Sequence, residues 1–197
     1  MLGNAFTHYM KCLLGIGKPI TQTSKSEQET LLRYASAAKL IVEIGVFEGV
    51  NTLNFALNSA FDTRILAVDP FFKGTLGINY GELIAKRLWR KWNVADKIQV
   101  VKGLSWNVLD RIPDNIDFVF IDGDHSYEGV KRDFQDYSKK LSDEGVIALH
   151  DARIFEGGWT KHDWGPVVLV DQLIRSSNDW IIIEEVDSLV MVKKKCA

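Results

Sequence analysis

Leu40-Ile41-Val42-Glu43-Ile44-Gly45-Val46-Phe47-Glu48-Gly49 begins as a short apolar run and ends among glycines. Such a run suits a strand buried on both faces. The glycines after it let the backbone turn sharply and come close to a ligand. Glu43, Gly45 and Gly49 spell E-x-G-x-x-x-G, which is not the dinucleotide pattern G-x-G-x-x-G. Outward from this stretch, helical and extended signals alternate. Upstream, a polar lead-in from Thr21 precedes residues 29–39, where Leu31, Leu32, Ala35 and Ala38 share one helical face. Downstream, helical spacing over 51–59, 82–92, 129–141 and 167–175 is interleaved with strand signals at 64–69, 97–102, 116–122 and 145–150. Strands at 180–186 and 189–193 close the chain, with only Asp187-Ser188 between them. The alternation predicts an α/β fold, a doubly wound parallel sheet covered by helices on both faces. The last two strands have no room for a crossover helix, so they must form an antiparallel hairpin.

The 197 residues suffice for one domain, read as a helical segment over 1–39 and a core over 40–197. Hydrophobic residues make up 46% and charged residues 25%, which excludes disordered, collagen-like and coiled-coil chains. A formal charge of -2 offers no basic surface and argues against a nucleic-acid binder. No apolar run reaches the length of a membrane span, so no membrane partner is expected. Cys12 and Cys196 give neither a disulfide framework nor a metal spacing, which fits a reducing, cytoplasmic setting. The first residues read as an amphipathic helix rather than a signal peptide. Cys196 stands too near the end to be a prenylation box.

In open sheets of this kind, ligands sit at the carboxyl ends of the strands. Asp69 ends the second strand, placed to accept both hydroxyls of a ribose. Ser105 follows the third strand and can meet an adenine edge, with apolar Trp106 beside it to stack on the base. With Glu43, Gly45 and Gly49, these residues point to an adenosine-containing ligand. The fourth strand ends in Asp122-Gly123-Asp124-His125 and the fifth in His150-Asp151. Adjacent strands lie about 4.8 Å apart, so carboxylates at matching ends can share one divalent cation. Magnesium is expected for an oxygen-rich set, and His150 as a nitrogen ligand keeps manganese and iron open. Plainer readings stand beside these: a turn aspartate, a helix-capping serine, a buried histidine.

With these residues in place the chain resembles a class I S-adenosylmethionine-dependent methyltransferase. The segments that carry the resemblance are IVEIGVFEGVNTLNFA, ILAVDPF, VVKGLSWNVL, FVFIDGDHSYEGVKRDF and GVIALHD. They are similar to the small metal-dependent O-methyltransferases and the antibiotic-pathway sugar O-methyltransferases. The resemblance implies a Rossmann-like seven-stranded sheet of order 3-2-1-4-5-7-6 and S-adenosyl-L-methionine as cofactor. It matches Glu43, Gly45 and Gly49 to the cofactor turn, Asp69 to the ribose acid and Ser105 to the adenine contact. Asp122, His150 and Asp151 fall on the metal ligands, Asp122 beside the cofactor as well. The proton acceptor falls on Asp124 in some relatives and on His125 in others. His150 departs from the Asp or Glu usual at the first place of that pair, and the segment before Leu40 is shorter than the helical cap of many relatives. The implied reaction is O-methylation of a small-molecule hydroxyl on a sugar, catechol or secondary metabolite, and a homodimer stays open. A metal-independent N- or C-methyltransferase and a non-catalytic cofactor-binding module are the alternatives. The aromatic loop 152–166 reads either as a lid or as a loop pinned by packing.

Overall fold

The computed structural model describes residues 2–74 and 77–195. Cys196, and with it the reading of the chain end, lies outside the described residues. The strands are β1 (Leu40–Ile44), β2 (Arg64–Asp69), β3 (Ile98–Lys102), β4 (Ile116–Ile121), β5 (Leu141–Leu149), β6 (Trp180–Val186) and β7 (Leu189–Lys194). They form a seven-stranded sheet in the order β3-β2-β1-β4-β5-β7-β6. Strands β1 to β5 pair in parallel, while β7 runs antiparallel to both β5 and β6. This is the expected Rossmann-like winding with its terminal hairpin.

Side chains alternate across the sheet, so each strand feeds two cores. Val42, Ile44, Leu66, Val68, Val119 and Ile121 face α5 (Tyr127–Ser138) and α6 (Gly165–Leu169), meeting Val130, Phe134 and Leu169. Ile41, Ile65, Ala67, Phe118 and Phe120 face the other way. There they meet Leu31 of α2 (Lys25–Ala35), Phe55 of α3 (Val50–Asn58) and Trp89 of α4 (Tyr80–Lys91). Each fully buried Ile, Leu, Val or Phe contributes about 1.5–3 kcal/mol. Burial on both faces is why the central strands lack polar alternation.

Among the boundaries that differ from the sequence reading, three have a clear local reason. Helix α2 starts at Lys25, inside the stretch read as a polar lead-in. Ser24 caps it by accepting from Glu27 N, and the Glu27 carboxylate returns to Ser24 N at 2.7 Å. This capping box satisfies two orphan donors of the first turn. Strand β5 begins at Leu141, a residue assigned above to the preceding helix. Leu141 pairs with Ile116, then a register shift and the polar Ser142-Asp143-Glu144 interrupt the apolar signal. Helix α6 is shorter than the 167–175 pattern, because the chain passes into a π turn over Val170–Ile174.

Helix α1 (Leu2–Leu14) lies against α4, where Phe6 meets Tyr80 edge-on and Tyr9 packs tilted against it. The segment between α1 and α2 then crosses the carboxyl ends of the strands. It is tied there by Ile20 N on Glu48 at 2.7 Å and by Thr23 Oγ1 on Asn51 Oδ1 at 2.9 Å. No helix among the described residues is long and apolar enough to cross a membrane.

Candidate active site

Residues at the carboxyl ends of β1, β2 and β4 border a cavity of 570 Å³, large enough for a nucleoside-sized ligand. Gly45, Asp69, Ser105, Trp106 and Asp122 line it, as do Asp124 and His125. Gly45 has φ +88°, and a Cβ there would stand 2.1 Å from the Asp122 carbonyl oxygen. Only glycine lets the ends of β1 and β4 come this close. Asp69 is half-buried and already holds two loops. Its Oδ2 accepts from Val46 N at 2.8 Å and Phe47 N at 3.3 Å, and its Oδ1 accepts from Phe71 N at 2.7 Å.

Glu43 and Gly49 take other places, outside the cavity lining. Glu43 is buried beneath it and accepts from Thr52 Oγ1. Burial pushes the Glu43 carboxyl well above its usual range, against the Thr52 hydrogen bond. Gly49, at φ +72°, lets Trp89 pack close and accepts from Trp89 Nε1 at 2.9 Å. Ser105 is buried and donates to Asp133 of α5, while Tyr137 Oη donates to the Ser105 carbonyl at 3.0 Å. Trp106 carries the Arg132 guanidinium 5.0 Å from its ring centroid.

A second cavity of 560 Å³ is lined by Gln22, His125, Asp151, Trp159, Asp163 and Trp164. Gln22 and His125 border both cavities. At the junction, Asp122, His125, His150 and Asp151 each offer one atom, all within 4.8 Å of one another. His150 is fully buried, with Nδ1 3.0 Å from Asp122 Oδ1 and Nε2 3.3 Å from Glu27 Oε2. His125 has Nε2 2.9 Å from Asp151 Oδ2 and Nδ1 3.0 Å from the Gly123 carbonyl. Trp159 Nε1 donates to Asp151 Oδ1 at 2.6 Å. Asp151 itself sits at φ +52°, a conformation rare outside glycine and held here by its neighbours.

The charges follow from these contacts. Burial alone would lower His150, but the charge and hydrogen bond of Asp122, with Glu27 and Asp151, carry it up to about 10. The hydrogen bond that His125 donates to Asp151 raises His125 against its burial. Burial works against the charge of Asp151, yet His125, His150 and Trp159 hold its carboxyl below the usual range. Asp124 is exposed and turned to the start of α5, where Oδ1 accepts from Ser126 N at 2.8 Å. The loop at 152–166 is pinned: Trp164 stands edge-on to His125, Phe155 packs on Trp159, and Gly165 N donates to the His125 carbonyl at 3.1 Å.

Glu27, Asp133 and Ser188 belong to this arrangement and were not singled out from sequence as site residues, while Trp159 was read only as one aromatic of the loop 152–166. Ser24-x-x-Glu27 marks a helix start, but nothing in that pattern points to His150. Glu27 is 0% exposed, and Oε1 also accepts from Ser188 N at 2.9 Å and Ser188 Oγ at 2.6 Å. Its carboxylate stays below the usual range, because His150, Ser188 and Ser24 outweigh the cost of burial.

Residues 42–152 match the family described as "Methyltransferase domain", and the chain belongs to it. The class is that of S-adenosylmethionine-dependent methyltransferases. Among curated relatives, "Probable caffeoyl-CoA O-methyltransferase 3" of Dictyostelium discoideum is 28% identical over 190 residues, covering 90% of this chain and 68% of that protein. The chain spans 55% and 50% of the length of two other relatives it matches. Among solved structures, cofactor-bound Rv0187 from MTB has a TM-score of 0.72 at 19% identity, covering 96% of this chain and 88% of that one. An O-methyltransferase from Bacillus cereus in complex with SAH has a TM-score of 0.68 at 18% identity, covering 98% and 91%. These two likenesses show the fold.

Proposed function

We propose that the chain transfers a methyl group from S-adenosyl-L-methionine to a hydroxyl of a small molecule, with a divalent cation at the junction of the two cavities. The observation that carries this is the cluster of Asp122, His125, His150 and Asp151 standing where the two cavities meet. In this reading the 570 Å³ cavity takes the cofactor and the 560 Å³ cleft takes the acceptor.

The donor set fits a cation. The His150 ring has acceptors on both sides, so it must carry two protons or give its inner nitrogen to a cation. The outer nitrogens are anchored, His150 Nε2 by Glu27 and His125 Nδ1 by Gly123 O. That is how histidines facing a metal are commonly oriented. Asp122, His150 and Asp151 would hold the cation, and imidazole among the donors suits manganese or iron better than magnesium. When bound, the cation supplies Lewis-acid chemistry to an acceptor oxygen.

The remaining chemistry belongs to the chain. Asp69, which holds the loops after β1 and β2, orients the ribose. Orientation of the transferred methyl against its acceptor contributes about 7–11 kcal/mol in favourable cases. With Asp151 given over to the cation, His125 would keep its proton on Nδ1, held by the Gly123 carbonyl, and take the acceptor proton on Nε2, where the nearby Asp151 carboxylate stabilises the charge it then carries. Asp124, engaged at the start of α5, orients the loop instead. Trp159 and Trp164 line the acceptor cleft and favour a planar ring with neighbouring hydroxyls.

A second reading has its own observation. His150 between Glu27 and Asp122 can itself supply the positive charge, as a metal-independent methyltransferase would need. Methyl transfer to a panel of catechol and sugar hydroxyls, with and without a chelator, separates the two. Loss of activity on chelation, restored by manganese, supports the first reading. Full activity after exhaustive metal removal leaves the second. In either case His125→Ala should lower the rate by about 10²–10⁴-fold with cofactor affinity retained.

A further inference from the structure

We infer that Asp133 reads the exocyclic amine of the cofactor's adenine, making it the residue that selects an adenine over its 6-oxo counterpart. The inference rests on the cofactor reading of the 570 Å³ cavity. Asp133 projects from α5 and is 1% exposed, yet it is part of that cavity's lining. Its Oδ1 accepts from Ser105 Oγ. Its Oδ2 has no hydrogen-bond partner among the described residues, and lies 3.8 Å from where a Cβ would stand on Gly123. Oδ2 is not an enclosed atom and so opens to the cavity, where a ligand that displaces water takes its hydration away. Burial accordingly pushes the Asp133 carboxyl up to about 6, against the Ser105 hydrogen bond. A ligand that fills the cavity does best to bring a donor to this oxygen.

Chemistry narrows which donor that is. An adenosine offers two ribose hydroxyls and one exocyclic amine. The hydroxyls fall to Asp69, at the end of β2. Leu104 and Trp106, which line the cavity beside Ser105, present the apolar walls a planar base requires. The amine is the donor left for Oδ2. Ser105 therefore acts through Asp133: its hydroxyl fixes Oδ1 and leaves Oδ2 free for the base. A 6-oxo purine would set a carbonyl oxygen against this carboxylate and leave two acceptors facing each other. The sequence placed the adenine contact at Ser105 with Trp106 stacking beside it, because Asp133 is distant in sequence and reaches the cavity only through the packing of α5.

The test is calorimetric titration with S-adenosylhomocysteine and with its deaminated analogue, S-inosylhomocysteine. The wild type should bind the adenosyl form about 10–100-fold more tightly, the range of a hydrogen bond to a charged group. Asp133→Asn, whose amide can donate to the 6-oxo oxygen, should lose or reverse that preference. A variant that was merely structural would weaken both ligands together. Equal affinities in the wild type would overturn the assignment whether or not the variant folds, as would an unchanged ratio in a folded Asp133→Asn. Binding of neither ligand by the wild type would overturn the cofactor reading itself, and this inference with it.

Discussion

Replacing Glu27 by alanine tests how the segment before β1 is joined to the site. The carboxylate is 0% exposed and lies among four donors: Ser24 N at 2.7 Å, Ser188 Oγ at 2.6 Å, Ser188 N at 2.9 Å and His150 Nε2 at 3.3 Å. Alanine leaves all four facing a gap. Breaking a buried, hydrogen-bonded pair costs about 3–5 kcal/mol, much of it the cost of the abandoned partner. For a chain of this size each kcal/mol moves Tm by about 2–4 °C, so the variant should melt about 6–20 °C lower. Glu27→Gln should lose less, about 1–3 kcal/mol. Its carbonyl can still serve Ser188, while its amide meets Ser24 N–H and the histidine. Urea unfolding and calorimetry on the three proteins read these differences directly. A Glu27→Ala variant within 1 kcal/mol of wild type would refute the reasoning, and with it the idea that α2 and the β6–β7 turn hold His150 in place.

Three further outcomes follow from named contacts. Asp69→Ala should weaken S-adenosylhomocysteine binding by about 10–100-fold in calorimetry, and a tight-binding variant would remove Asp69 from the cofactor site. Gly45→Ala would set a Cβ 2.1 Å from the Asp122 carbonyl at φ +88°, and should cost at least about 1–3 kcal/mol of stability together with ligand binding. Asp133 gives a pH signature: its folded value near 6 exceeds the ordinary 3.8, so between these the folded chain holds the extra proton. Stability should therefore fall as pH rises through that window, by up to about 3 kcal/mol, and Asp133→Asn should remove that fall. Parallel stability–pH curves for wild type and variant would contradict it.

The central strands and the terminal hairpin were legible because burial on both faces writes continuous apolar runs, and because two turn residues exclude a crossover. Asp69, Asp122 and Asp151 were legible as positions for the same reason: the end of a strand is easy to see. What each side chain does there was less so. Glu43 and Gly49 belong to the glycine pattern, yet one lies under the cavity and the other packs on Trp89, since a motif fixes chain direction and not side-chain depth. Glu27 and Asp133 stayed hidden because their partners, His150 and Ser105, are brought to them only by the folded sheet. The start of β5 was missed where a register shift broke the periodicity on which the reading depended.

The central claim is that Asp122, His150 and Asp151 hold a cation beside the cofactor cavity. It is tested most directly by a crystal structure of the wild type with S-adenosylhomocysteine and manganese, read in the anomalous difference map. The account predicts one manganese peak at bonding distance, about 2.0–2.3 Å, from Asp122, Asp151 and the inner nitrogen of His150, with the nucleoside in the adjoining cavity. A well-occupied nucleoside with no manganese peak among these residues would contradict it.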